Sequence, residues 1–184
     1  MEKWAAKELE QANLGDARRK KRLISIVENL AAQPAESVPQ ASGNSAAATP
    51  PQGGGWNSPY FQPSDIRQAH TASTIERIKS TEIVLAIQDT TSLDFTTHKA
   101  TKNLGYLDNS YSMGLKVHST LAVSSIGVPL GIINQQVWAR DKKNLGIAKK
   151  RHQRETKEKE SQRWLDGLSV TQKLIPDHKK NHHH

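Results

Sequence analysis

The sequence predicts an α+β chain: a small helical N-terminal domain, then a mixed β-sheet with helices. Three observations predict it. Leu23, Ile26, Val27 and Leu30 recur at the i, i+3, i+4, i+7 spacing of one buried helical stripe. Ile83 to Ile87 is an unbroken apolar run, as expected of a central strand covered on both faces. Leu115, Val117, Ser119, Leu121 and Val123 alternate with Lys116, His118 and Thr120, the period of a strand. The expected division is a helical domain over residues 1–80, loop-rich at 33–63, and a sheet domain over 81–184.

Taken in order, Trp4 to Ala12 reads as a short amphipathic helix ended by Asn13-Leu14-Gly15. Asp16 suits the N-cap of a second helix, because its carboxylate accepts from free N–H groups of the first turn. Residues 33–63 hold Pro34, Pro39, Pro50, Pro51, Gly53-Gly54-Gly55, Pro59 and Pro63, a density of breakers that predicts no regular element. Ser64 is expected to cap a helix from Asp65 to about Lys79, with Ile66, Ala69, Ile75 and Ile78 as its apolar positions. The apolar run then leads into Gln88-Asp89-Thr90-Thr91. After the alternating strand, Gly127-Val128-Pro129 makes a turn and Leu130 to Trp138 returns. Residues 140–168 are highly charged, with a helix expected over Glu158 to Leu168.

Charge is segregated. Residues 1–22 hold seven Lys/Arg against four Asp/Glu, and residues 140–184 hold thirteen against six. The stretch between has six against eight, so the net +8 sits at the two ends. Segregated basic segments suit a polyanion such as nucleic acid; ordinary solvated helical faces account for such runs as well. With no cysteine, disulfides, thiolate zinc sites and cysteine nucleophiles are excluded. No apolar run approaches the roughly 18 residues of a membrane span, and the expected setting is the bacterial cytoplasm.

Two groups carry candidate chemistry. Asp89, placed after the apolar strand and before two threonines, is expected at the strand's carboxyl end, where open α/β sheets gather ligands. A hard cation such as Mg²⁺ takes oxygen ligands, so Asp89 reads either as one such ligand or as a turn cap supported by Thr90 and Thr91. Arg18, Arg19, Lys20, Lys21 and Arg22 cover every side of a helix's first turns, and some must face away from the core to meet phosphates or water. His98 and His118 lack ligand spacing and read as surface or packing residues. Trp138 and Trp164 read as packing, Asp94 and Asp108 as loop residues without a role.

Several motifs, in order, resemble the IS4/Tn5 family of DDE transposases. Trp4 with Leu14-Gly15-Asp16-Ala17-Arg18-Arg19 and Leu23 resembles the segment that grips the transposon end. Ala86-Ile87-Gln88-Asp89-Thr90-Thr91-Ser92-Leu93 resembles the first catalytic strand, and Gly114 to Val123 the next. Lys159-Glu160-Ser161-Gln162-Arg163-Trp164-Leu165 resembles the helix after the third. The resemblance implies a helical DNA-binding domain before an RNase H-like core, incomplete here, with double-stranded DNA at terminal repeats as partner in a dimeric complex. It implies Mg²⁺ as cofactor, Asp89 as first catalytic carboxylate and metal ligand, and Arg18 to Arg22 with Thr90 as DNA contacts. Two departures stand out. Thr49 to Gly55 replaces an aromatic-rich helical turn, and Asn181-His182-His183-His184 stands where a strand bearing the second aspartate is expected. The expectation is a frameshifted, truncated and inactive transposase, or alternatively a non-catalytic fragment that binds transposon ends and regulates transposition.

Overall fold

The computed structural model describes residues 4–43, 60–141 and 160–174. Residues 49–55, the charged stretch 142–159 and the tail 175–184 lie outside these described residues. The chain forms two compact units, residues 1–73 and 74–184.

In the first unit α1 (Trp4–Glu8) and α2 (Ala17–Ala32) are joined by a turn that buries Leu9, Ala12 and Leu14. Asp16 is the N-cap, with extended φ −154° and its Oδ1 accepting the Arg18 N–H at 2.7 Å. That bond holds the Asp16 carboxyl below its ordinary range. Leu23 and Ile26 are buried and Val27 half-buried; Leu23 and Val27 close a core with Leu9, Ala12, Leu14 and Ala69.

A helical turn, α3 (Val38–Ala41), stands inside the stretch where none was expected. Its start is held by one half of a capping box: Gln40 Oε1 accepts both the backbone N–H of Ser37 at 3.2 Å and its hydroxyl at 2.5 Å. Pro39 sits in the first turn, where a missing N–H costs nothing. The next helix, α4 (Pro63–Lys79), starts before Ser64, which is not its cap. Pro63 takes the first helical position, and the Asp65 carboxylate reaches back to the Gln62 N–H at 2.7 Å.

The second unit has four strands: β1 (Val84–Asp94), β2 (Gly105–Tyr106), β3 (Met113–Ser124) and β4 (Pro129–Trp138). Every pairing among the described residues is antiparallel, which corrects the mixed sheet expected. The β3–β4 link is a tight turn with Gly127 at φ +84°, too short for the crossover that parallel strands require. β3 is central, flanked by β1 on one side and by β4 and the short β2 on the other.

Among the described residues β1 is therefore an edge strand, not the doubly covered strand its apolar run predicted. Leu85 and Ile87 are each 49% exposed. On β3 the alternation puts polar residues inside. Lys116, His118 and Thr120 are buried, while Leu115, Val117 and Leu121 are only half-buried. The polar side of the sheet is the covered one, because α5 (Gln162–Leu174) lies on it. Gly167 allows this approach: a Cβ there would stand 2.5 Å from Gln88 Oε1 and 3.2 Å from Thr120 Oγ1. At one end of the same unit Ile75 and Ile78 pack on Ala122, Ile133, Val84 and Leu130. The α5 helix runs to Leu174, six residues past the expected end at Leu168.

Candidate functional site

The five adjacent cations divide by geometry. Arg19 donates to the Leu14 carbonyl at 3.1 Å and lies over the Tyr60 ring, 4.0 Å from its centroid. Lys20 donates to the Glu10 carbonyl. Both satisfy backbone acceptors of the α1–α2 turn, which lies outside any helical ladder. Arg22 is half-buried. Arg18 and Lys21 are exposed, one turn apart on the same ridge of α2. Arg18 touches Asp16 at 3.4 Å, yet its side chain is 92% exposed, and so exposed a pair constrains the guanidinium little. Within the cluster the exposed cations are thus Arg18 and Lys21, while Arg19 and Lys20 hold the α1–α2 turn.

Asp89 lies in mid-strand, opposite Ser119, because pairing with β3 continues to Asp94. This corrects its expected place at the strand's carboxyl end. Its carboxylate is exposed, accepting the Thr91 hydroxyl at 3.3 Å. Side chains alternate along a strand, so Asp89 and Thr91 share the open apolar face with Leu85, Ile87 and Leu93. Thr90 points to the other face, where its hydroxyl lies 2.7 Å from His118 Nδ1. The two threonines that follow Asp89 therefore serve opposite sides of the sheet. Among the described residues no three His, Cys, Asp or Glu side chains gather in a way that holds a metal. A divalent cation at Asp89 would find one carboxylate, too few for an oxygen-ligand site.

The covered face holds the groups that sequence reasoning missed. His118 is 0% exposed, with Nε2 2.9 Å from Gln88 Oε1 and its ring tilted against Trp164 at 4.9 Å. The assignment that gives each atom a role has Nε2–H donating to Gln88 and the Thr90 hydroxyl donating to Nδ1, a neutral imidazole. Burial holds its pKa below the ordinary histidine value, opposed by the Asp89 charge. Next along the face, the Lys116 ammonium donates to Ser92 Oγ and Asp108 Oδ1, each at 2.7 Å. This contact depresses the Asp108 carboxyl. Arg140 then grips Glu160 through two bonds of 2.6 Å, which raises its own pKa and lowers that of Glu160. Asp108 is thus an ionic partner of Lys116 and Arg140, where sequence reasoning assigned it no role. His118 and Trp164 do pack, and His98 is exposed beside Phe95. The visible hint was polar alternation at 88, 90 and 92 matching 116, 118 and 120.

These arrangements are structural except at two places, the exposed ridge of α2 and the exposed Asp89. Residues 1–49 match the transposase DNA-binding family. The match spans α1, α2 and α3 and includes every cation of the cluster. The chain is similar there to the DNA-binding part of transposases, which supports a transposase N-terminus, a transposase-related function and DNA as partner. Arg18 and Lys21 fall within the matched residues, and Asp89 outside them. No helix among the described residues is long and apolar enough to cross a membrane.

Proposed function

We propose that this chain binds the double-stranded terminal repeats of an insertion sequence, as the end-binding part of a transposase of the IS4/Tn5 type. The observation that carries this reading is the transposase DNA-binding match over residues 1–49, within which Arg18 and Lys21 stand exposed on α2. Lysine and arginine on an exposed helix neutralise phosphates and fix the helix on the duplex. In this reading the second unit, with Asp89 on its first strand, is the start of an RNase H-like core. Asp89 is its first carboxylate and Mg²⁺ its cofactor. The described residues do not fit Mg²⁺, since Asp89 has no companion ligands among them. They therefore carry no phosphoryl-transfer step, which needs several carboxylates to fix the ions.

That Asp89 stands without companion carboxylates among the described residues favours binding without cleavage, in which the protein occupies transposon ends and limits transposition. A mobility-shift titration tests the first reading, with duplexes from the ends of the element against random duplexes at two salt concentrations. Preference for end DNA that persists at the higher salt is the expected result. Equal affinity for both sets overturns end recognition. Metal-dependent nicking of end DNA that vanishes in Asp89→Ala overturns the non-catalytic reading.

A further inference from the structure

Beside the start of α2, the first unit holds a polar cleft of about 480 Å³ lined by Gln11, Asn13, Gly15, Tyr60, Asp65 and Gln68. This volume is in the range of small-ligand sites. Its chemistry excludes most ligand classes. Its lining brings one charge, the Asp65 carboxylate, and the cation beside it, Arg19, is already engaged with the Leu14 carbonyl and the Tyr60 ring, so it suits a phosphate poorly. Its walls are mostly polar, so it suits no hydrocarbon. What it presents are side-chain amides and an aromatic ring. Gln11 and Gln68 are exposed amides with no hydrogen bond of their side chains among the described residues. Asn13 Oδ1 accepts the Gly15 N–H at 3.2 Å, which leaves its NH₂ as a donor. Asp65 Oδ2 accepts the Gln62 N–H, which leaves Oδ1 as an acceptor. The Tyr60 ring is 66% exposed, and Arg19 lies over it.

Planar ligands with donors and acceptors along their edges and a stackable face are nucleobases. Amides pair with base edges, carboxylates accept exocyclic amino groups, and aromatic rings stack on any base. Gly15 lines the cleft only three residues before Arg18, so a strand whose phosphates meet Arg18 and Lys21 has the cleft within one helical turn. A base paired in a duplex cannot enter a concave site; an unpaired one can. Resting on the DNA-binding reading above, we infer that this cleft takes an unpaired nucleobase, one at a frayed or single-stranded DNA end, stacked near Tyr60 and read by Gln11 and Gln68.

The test is anisotropy titration of the full chain with three DNAs of one duplex sequence. One is blunt, one carries a three-nucleotide single-stranded extension, and one carries the same extension with abasic sites. The extended DNA should bind roughly tenfold tighter than the blunt one, the scale of one base edge paired by side-chain amides. The abasic extension should match the blunt DNA. The double variant Gln11→Ala with Gln68→Ala, altered only at exposed positions, should lose the preference and keep blunt-duplex affinity. Equal binding of blunt and extended DNA overturns the proposal, as does an abasic extension that binds as tightly as the natural one. Preference retained in the double variant overturns the assignment to this cleft. Blunt duplex that binds while extensions add nothing sinks this inference alone, whereas failure of all three DNAs to bind sinks the DNA-binding reading with it.

Discussion

Replacing both Arg18 and Lys21 with alanine removes the two exposed cations of the cluster and leaves the α1–α2 turn intact. Each cation withdrawn from a phosphate flattens the slope of log K against log salt by about 0.9. Two such cations flatten it by roughly 1.8, so across a fourfold salt range the salt-dependent fall in affinity shrinks roughly tenfold. Stability should stay within about 0.5 kcal/mol, because both side chains project from the surface. Arg19→Ala should do the converse. It removes a donor from the Leu14 carbonyl and a cation from the Tyr60 ring, at roughly 1–2 kcal/mol of stability, with the slope near the parent's. Anisotropy titrations at several salt concentrations give the slopes, and urea melts give the stabilities. A double variant with the parent's slope refutes the assignment of Arg18 and Lys21 to phosphates. An Arg19→Ala protein of full stability but reduced slope refutes the division of labour within the cluster.

Three further outcomes follow from the second unit. In Gly167→Ala the new methyl displaces the Gln88 amide and costs His118 its bond, so urea melts should show a drop of about 1 kcal/mol; an unchanged midpoint counts against the close approach of α5. Burial depresses the pKa of His118, so the unfolded chain takes up its proton first; stability should be full above about pH 6.5 and fall as pH drops below that toward the folded pKa. His118→Gln should remove that part of the acid sensitivity, and melts at about pH 7 and about pH 5.5 that shift equally in parent and variant would contradict it. Lys116→Met exchanges a buried ammonium for an apolar stem of like length and should stay within about 1 kcal/mol of the parent, whereas Asp108→Ala, which strips the ammonium of its carboxylate, should cost more. Chemical melts of the two variants side by side decide it, and the reverse order would overturn the account.

Periodicity reports where apolar residues recur, and helices pack through that property. The stripe from Leu23, the Asp16 cap and the two long strands were legible for this reason. The Ser37–Gln40 box was hidden by Pro34 and Pro39, since breakers forbid long helices but tolerate one capped turn. The covering of β1 is missed because an apolar run states what a strand is able to bury, not what lies against it. Which face of β3 is covered depends on α5, a partner nearly forty residues away in the chain. For the α2 cluster, composition revealed the charge, but only the positions of the Leu14 and Glu10 carbonyls separate anchoring cations from presenting ones. Asp89 was legible as an isolated carboxylate and its mid-strand position was not, since pairing past Thr91 is set by β3.

The polar contacts beneath α5 have a consequence for how the sheet finds its alignment. Greasy faces slide, since one leucine neighbours another about as well after a shift of two positions. Here a two-residue slip of β1 along β3 would set Thr90 against Lys116 or Thr120 and leave the His118 ring without its hydroxyl or its amide. A one-residue slip would turn Leu85 and Ile87 beneath α5 and Gln88 and Thr90 out to water. Gln88, Thr90 and Ser92 thus act as the teeth of a key cut for His118 and Lys116, and only one setting of the strands turns the lock.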